Sequence, residues 1–183
     1  MDQFPKISLE NFKILKPIGE GKSGTVYIIQ SNDSKYLYAA KILKKEYTTK
    51  SELNPFIKQM IHYSKIRSPT LVPLERFTPT SNNQGKYPLI VMPYIPNGTL
   101  EDIFKKQEQN EPIENFTESK KYIILLGLST ALYYLHIHTF VHKDLKPSHI
   151  LLDSNYYPQI TDFCLQKEAD LPNSEDLNAY SIL

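Results

Sequence analysis

The chain has 183 residues, 40% of them hydrophobic, which is enough to bury a core in one ordinary domain or in two small lobes. Its 21 basic and 20 acidic side chains give a formal net charge of +1, so no overall field favours nucleic acid or an anionic membrane. The single cysteine, Cys164, excludes an internal disulfide, and the longest apolar run, at 123–128, is too short to span a membrane. We therefore expect a soluble, cytoplasmic protein.

The first predicted elements are two strands joined by a glycine-rich segment at 19–24. An apolar run ends at Ile18, and a β-branched and aromatic run covers 25–29. A dinucleotide-binding fold would need a helix after the glycines, and a P-loop would need a glycine in place of Lys16. A hairpin remains, either an ordinary one or one whose backbone N–H groups lie over phosphates because side chains are absent. Its glycines are Gly19, Gly21 and Gly24.

A third strand is predicted over 36–43. Alternation places Leu37, Ala39 and Lys41 on one face of this strand, so Lys41 would lie under the glycine hairpin. The alternative is a solvated strand lysine, as most lysines are.

A helix is predicted to begin at the Asn-Pro pair at 54–55, because asparagine caps helices well and proline suits their first turn. The Ser-Pro pair at 68–69 would end this helix. The runs at 71–77 and 87–92 are interpreted as two further strands. Together these elements predict a five-stranded antiparallel lobe with one helix, followed by a linker at 92–98.

The second half of the chain is predicted to be mainly helical. A short helix begins at Thr99, and a long one over 117–138 has apolar residues at helical spacing. His136 and His138 stand two apart on the long helix, so they point to different faces and cannot share a metal ion. Packing histidines are therefore favoured over a zinc site that would include His142.

Two segments carry candidate chemistry. Asp144 and Lys146 stand two apart in a loop braced by Pro147, which suits both side chains to a charged substrate. Asp162 lies within an apolar run, where an ionised carboxylate is costly unless a cation or hydrogen-bond donors meet it. The pattern therefore predicts a positive group beside Asp162.

These segments resemble the catalytic loop and the metal-binding segment of the eukaryotic protein kinases. The family usually has His-Arg-Asp-Leu-Lys-Pro-x-Asn and Asp-Phe-Gly. This chain has His-Lys-Asp-Leu-Lys-Pro-Ser-His at 142–149 and Asp-Phe-Cys at 162–164. The glycine hairpin, the Ala-Ala-Lys strand at 39–41 and the linker also resemble parts of that family. The resemblance covers 11–167 and ends soon after the activation segment begins.

The resemblance implies an α+β, protein-kinase-like fold. It divides the chain into an N-lobe at 1–92, with five antiparallel strands and one helix, a hinge at 93–98, and a partial, mainly helical C-lobe at 99–183. No Ala-Pro-Glu signature follows, and the helices that complete the C-lobe in the family are missing from the sequence. We therefore expect the long helix to have lost much of its cover and this lobe to be marginally stable.

The resemblance also implies roles for individual residues. Asp144 accepts or orients the proton of the substrate hydroxyl, and Lys146 neutralises charge on the transferred phosphoryl group. Asp162 binds Mg²⁺, and His149 takes the position of a second metal ligand. Contacts with ATP are implied for Ile18, Gly19, Gly21, Gly24, Val26, Ala39, Lys41, Met92, Pro93, Ile95 and Leu151. A lysine two places after the aspartate is typical of Ser/Thr kinases, so a protein serine or threonine is the expected acceptor.

Four departures from the family weaken turnover more than they weaken ATP binding. Gln59 replaces the glutamate that pairs with the strand lysine, which loses the charge-assisted part of that bond. His149 replaces an asparagine, and imidazole suits Mg²⁺ poorly. Cys164 replaces a glycine, and Lys143 replaces an arginine. The two hypotheses are an ATP-dependent Ser/Thr protein kinase, and a pseudokinase or kinase fragment that binds nucleotide or serves a regulatory protein partner as a scaffold.

Overall fold

Five antiparallel strands form one sheet in the first half of the chain. The structure, a computed structural model, describes residues 11–79 and 87–163. The strands are β1 (Phe12–Glu20), β2 (Gly24–Ser31), β3 (Leu37–Leu43), β4 (Arg76–Thr78) and β5 (Leu89–Pro93). Their spatial order is β1-β2-β3-β5-β4, and every neighbouring pair is antiparallel. The predicted five-stranded sheet is therefore confirmed, including the glycine hairpin between β1 and β2.

The helix of this lobe, α1 (Lys50–Tyr63), begins before the predicted Asn-Pro pair. Its N-cap is Thr49, whose hydroxyl accepts a hydrogen bond from the Glu52 N–H at 3.3 Å. The Glu52 carboxylate in turn accepts one from the Thr48 N–H at 3.2 Å. The prediction of a start at 54–55 is wrong because this Thr-x-x-Glu spacing satisfies the free N–H groups of the first turn. Pro55 consequently lies inside the helix, where it removes one backbone donor.

The end of α1 also differs from the prediction. The helix ends at Tyr63 rather than at the Ser-Pro pair at 68–69. The Tyr63 hydroxyl donates a hydrogen bond to the carbonyl of Val72 at 2.7 Å in the buried interior. This bond fixes the end of the helix to the chain segment that follows it.

The strand predicted over 71–77 divides into two parts at Pro73. Proline has no N–H to donate, so it interrupts the ladder. Before it, the Val72 N–H donates to the Ile160 carbonyl at 2.9 Å, and the Ile160 N–H donates to the Thr70 carbonyl at 2.9 Å. After it, only β4 joins the sheet. The first part of the predicted strand therefore pairs with the second half of the chain at Ile160, two residues before Asp162.

The second half of the chain contains two helices and a two-stranded antiparallel sheet. Its elements are α2 (Leu100–Glu108), α3 (Glu118–Ile137), β6 (Ile150–Leu152) and β7 (Pro158–Ile160). Thr99 begins α2 through a reciprocal capping box with Asp102, and α3 is bounded by the residues that the sequence predicts. Both predicted helices are confirmed.

One apolar cluster joins the two halves of the molecule. Phe56 and Met60 of α1 pack in the same cluster as Ala131 and Leu135 of α3 and as Phe163, and all five are buried. Phe163 directly follows Asp162 in the sequence. Packing therefore sets the position of Asp162 relative to the sheet and to α1.

A stripe of large apolar side chains on α3 stays exposed in the described part of the chain. Each side chain of the stripe is at least 56% exposed, and its members are Tyr122, Leu125, Leu126, Tyr133 and Ile137. Marginal stability of the second lobe, and the division at 93–98, stay predictions. Among the described helices, none combines the length and the apolarity needed to cross a membrane.

Gly127 lets α3 lie directly against β7, because a Cβ atom at this position would be 2.4 Å from Cγ of Pro158. Replacing a glycine by alanine inside a helix usually stabilises it by about 0.5–1 kcal/mol. Here we expect Gly127→Ala to lower the free energy of unfolding by about 1–3 kcal/mol, because the proline ring has to shift. Urea unfolding followed by circular dichroism measures the change.

The control for Gly127→Ala is the double variant with Pro158→Ala, which removes the obstructing ring. This variant should recover much of the loss, since the new methyl group then meets only the Cβ atom of residue 158, at an ordinary contact distance of 3.8 Å. Stabilisation by Gly127→Ala alone would contradict the close packing of α3 on β7.

Candidate active site

Lys41 and Asp162, which come from opposite halves of the chain, meet in the structure. Lys41 lies in the central strand β3, where the register places it between Val26 and Ile90, and it is only 4% exposed. Its Nζ atom donates a hydrogen bond to Asp162 Oδ2 at 2.5 Å. The predicted convergence of these two side chains is confirmed, and the alternative of a solvated strand lysine is wrong. Lys41 is the positive group that the apolar surroundings of Asp162 predicted.

The backbone at two site residues is strained. Asp162 has φ of 66° and Lys143 has φ of 56°, both in the left-handed region that L side chains rarely adopt. Such conformations persist only where surrounding contacts impose them, and they concentrate at functional sites. Cys164, which takes the position of a glycine in the family, lies outside the described residues.

Asp144 and Lys146 form a second ion pair, at the mouth of the site. Lys146 Nζ donates to Asp144 Oδ2 at 2.8 Å, and both side chains are about half exposed, at 47% and 53%. The hydrogen bond from Lys146, together with its positive charge, lowers the pKa of Asp144 below the ordinary value. Asp144 is therefore an ionised acceptor at neutral pH.

His149 connects these two ion pairs. Its Nδ1 atom lies 2.8 Å from the backbone carbonyl oxygen of Asp144, and its Nε2 atom lies 3.6 Å from Asp162 Oδ2. The ring of His142 stacks behind it, with 5.8 Å between the ring centroids and 25° between the planes. The structure thus brings the predicted catalytic pair and both predicted metal-binding residues into one cluster.

His142 ties the loop of Asp144 to the segment of Asp162. It is 2% exposed, and its Nε2 atom donates a hydrogen bond to the backbone carbonyl of Thr161 at 2.9 Å. The sequence predicted a packing histidine here, and the structure adds this connection. The missed partner, Thr161, gave no signal in the sequence, because the contact is made by its backbone.

Burial lowers the pKa of His142 below its ordinary value of about 6.5, because the charged ring would be desolvated. Below pH 6.5 or so the unfolded chain binds a proton that the folded chain does not. We therefore expect the unfolding free energy to be highest above about pH 6.5 and to fall as the pH is lowered towards 5. Thermal unfolding at several pH values across this range measures how steeply the stability of the fold depends on pH.

The variant His142→Phe should flatten that pH slope, since no titrating group then remains at the position. Replacing the exposed His136 by glutamine is the matched control and should leave the slope as it is. An unchanged slope in His142→Phe would assign the pH dependence to another group.

The predicted nucleotide contacts line up across the sheet. Gly19 of β1 pairs with Val26 of β2, which pairs with Lys41 of β3. Ala39 pairs with Met92 at the end of the sheet. Two further members of the set lie on strands, Ile18 on β1 and Pro93 at the end of β5. Ile95 follows in the linker, and Leu151 packs against the apolar cluster that contains Met92. Their roles towards a nucleotide stay predictions.

The three glycines of the hairpin differ in what surrounds them. A Cβ atom at Gly19 or Gly21 would meet nothing within 4 Å. One at Gly24 would be 2.2 Å from the carbonyl oxygen of Ile42 on the adjacent strand. Gly24 therefore has a structural reason to be glycine, namely the close approach of β2 and β3, whereas Gly19 and Gly21 leave space above the sheet.

A cavity of about 540 Å³ lies between α1 and the loop that carries Asp144. Gln59, which takes the position of the expected glutamate, lines it together with Lys143 and Phe163.

The Phe163 ring contacts Tyr63 of α1 edge to face, with 4.8 Å between the centroids. This aromatic contact, which the sequence analysis missed, fixes α1 against the Asp162 segment. The sequence does contain a signal for this contact, because Phe56, Met60 and Tyr63 are spaced i, i+4, i+7 and so lie on one face of the helix.

The described residues contain no group of three His, Cys, Asp or Glu side chains arranged to hold a metal ion. A metal here would have at most two protein ligands, with the rest supplied by substrate oxygens and water. The Asp162 carboxylate suits Mg²⁺, which prefers oxygen ligands. The imidazole nitrogen of His149 does not suit Mg²⁺.

Comparisons of this sequence with a family model and with curated proteins point to the same family. The sequence model of a family described as "Protein kinase domain" matches residues 12–181. The chain is 32% identical over 170 residues to cAMP-dependent protein kinase type 3 of Saccharomyces cerevisiae, covering 91% of this chain and 39% of that protein. It is 28% identical over 156 residues to Aurora kinase A-A of Xenopus laevis, covering 85% and 36%. It is 30% identical over 176 residues to the probable serine/threonine protein kinase IRE4 of Arabidopsis thaliana, covering 96% and 16%. The chain thus spans about two fifths or less of the length of these relatives.

Proposed function

Because the chain belongs to the protein kinase domain family, we propose that it is an ATP-dependent protein kinase domain that phosphorylates serine or threonine. The observation that carries this proposal is the ion pair between Lys41 of the sheet and Asp162 of the other lobe. The family uses ATP with Mg²⁺ and acts on proteins. In this proposal the protein is cytoplasmic, and it binds ATP and either a protein substrate or a regulatory protein. It does not bind nucleic acid.

Lys41 and Asp162 act on the phosphates of ATP. The ammonium of Lys41 binds the α- and β-phosphates, and because it is buried its charge is screened less than that of a surface lysine. The Asp162 carboxylate would hold a divalent cation such as Mg²⁺, which would supply positive charge against the phosphates of ATP. Gly19 and Gly21, with open space above them, let the hairpin backbone approach the phosphates.

Asp144 and Lys146 act on the acceptor and on the transferred group. The ionised Asp144 carboxylate accepts a hydrogen bond from the serine or threonine hydroxyl. It takes the hydroxyl proton as the new bond from that oxygen to the γ-phosphorus forms and the bond from the γ-phosphorus to the leaving oxygen of ADP breaks. Lys146, 2.8 Å away, neutralises negative charge on the phosphoryl group as it moves. His149 holds the Asp144 backbone through its carbonyl, which keeps the loop in register with Asp162.

The test combines binding and turnover on the purified chain. Thermal unfolding with ATP and Mg²⁺ should show a raised melting temperature, and radiolabelled γ-phosphate should pass to serine or threonine of casein. A raised melting temperature without transfer would favour the second hypothesis, a nucleotide-binding pseudokinase. Transfer only to a tyrosine copolymer would contradict the serine/threonine assignment, and no thermal response to ATP would contradict the nucleotide site itself.

A further inference from the structure

The imidazole of His149 is held in one orientation and one tautomer. Its Nδ1 atom lies 2.8 Å from the Asp144 carbonyl oxygen, which can only accept, so Nδ1 carries the hydrogen. The ring is 16% exposed, and the ring of His142 stacks against it. In the neutral ring, Nε2 is consequently an unprotonated nitrogen that faces Asp162.

This arrangement is the one that metal-binding histidines adopt in proteins. A histidine ligand usually donates its other N–H to a carbonyl or carboxylate, which fixes the ring and raises its basicity towards the metal. Here the Asp144 carbonyl supplies that partner in advance. The metal-facing nitrogen is therefore already aimed at the Asp162 carboxylate.

The separation of the two candidate ligand atoms suits one shared ion. Two atoms that each lie about 2.1 Å from an ion, at tetrahedral or octahedral angles, are about 3.0–3.5 Å apart. The distance from His149 Nε2 to Asp162 Oδ2 is 3.6 Å. Lys41 donates to the same oxygen, Oδ2, and because a carboxylate oxygen has two lone pairs, Oδ2 can accept from Lys41 and also bind an ion.

A mixed nitrogen and oxygen ligand pair selects among divalent cations. Mg²⁺ prefers oxygen ligands and keeps its water, whereas imidazole binds manganese and the later first-row metals more readily. We infer that His149 and Asp162 form a transition-metal site, occupied by Mn²⁺ or a later first-row divalent cation in preference to Mg²⁺. This inference rests on the proposed function, because nucleotide phosphates complete the coordination.

The first experiment detects the metal–nitrogen bond directly. Mn²⁺ is added to the purified chain, alone and with a non-hydrolysable ATP analogue, and electron spin-echo spectra are recorded. Modulation from a coordinated imidazole nitrogen is expected in the native chain and should disappear in His149→Asn. A native spectrum without nitrogen modulation would overturn the inference without relying on any variant.

The second experiment measures selectivity. Mg²⁺ is titrated against bound Mn²⁺, and His149→Asn, which offers an amide oxygen, should release Mn²⁺ at about tenfold lower Mg²⁺ than the native chain. Equal displacement in both proteins would also overturn the inference.

Failure of this inference can be told apart from failure of the kinase proposal. If the ATP analogue stabilises both proteins but nitrogen modulation is absent, only the transition-metal site is wrong. If the analogue stabilises neither protein while Mn²⁺ alone shows nitrogen modulation, the metal site stands and the nucleotide proposal fails.

Discussion

Replacing Asp144 by asparagine is expected to reduce phosphate transfer by about 10²–10⁴-fold and to leave nucleotide binding intact. The amide keeps the size of the side chain but cannot take the proton of the acceptor hydroxyl. Its ground-state contacts change little, because the Asp144 side chain is 53% exposed and contributes a surface ion pair with Lys146. Initial rates with radiolabelled ATP, together with the thermal response to ATP, measure the two effects separately.

The control for Asp144→Asn is the same exchange at the exposed Asp33, which lies in the turn between β2 and β3. Asp33→Asn should leave both rate and binding at the native level. If Asp144→Asn transferred phosphate as fast as the native chain, Asp144 would not be the general base. If it lost ATP binding as well, its role would lie in positioning the nucleotide.

Replacing Lys41 by methionine is expected to lower the free energy of unfolding by about 2–3 kcal/mol and to abolish the stabilisation by ATP. The loss arises mainly from Asp162, whose side chain is 16% exposed and would keep its charge without the ammonium at 2.5 Å. Chemical unfolding of the two proteins, with and without ATP and Mg²⁺, measures both effects.

Two further variants make the Lys41 prediction specific. Lys41→Met combined with Asp162→Asn should recover much of the stability, because no unpaired charge remains, while ATP binding stays lost. The matched control is Lys44→Met, which removes the exposed partner of Glu20 next to the same strand and should have little effect. Equal destabilisation by Lys41→Met and Lys44→Met would contradict a buried pair that joins the two lobes.

Local sequence patterns correctly predicted those strands and helices whose conformation depends mainly on residues close by in the sequence. The glycine hairpin, the strand of Lys41 and α3 followed from alternation and helical spacing, and the structure confirms them. The start of α1 was predicted wrongly although its signal was local. The Thr-x-x-Glu spacing at 49–52 satisfies the backbone donors of the first turn, whereas the Asn-Pro pair at 54–55 lies inside the helix.

The sequence by itself determined the family, because the spacing of Asp144, Lys146 and Asp162 resembles the motifs of protein kinases and the family model matches residues 12–181, and it predicted which residues form the site. Only the tertiary structure decided how they are arranged. The pairing of Val72 with Ile160 and the turn of His149 towards Asp162 are contacts between distant segments. Such contacts depend on how the lobes pack, and no local propensity encodes them. For the same reason, the sequence showed that His149 departs from the family, but only its contacts indicate that it can select a different metal.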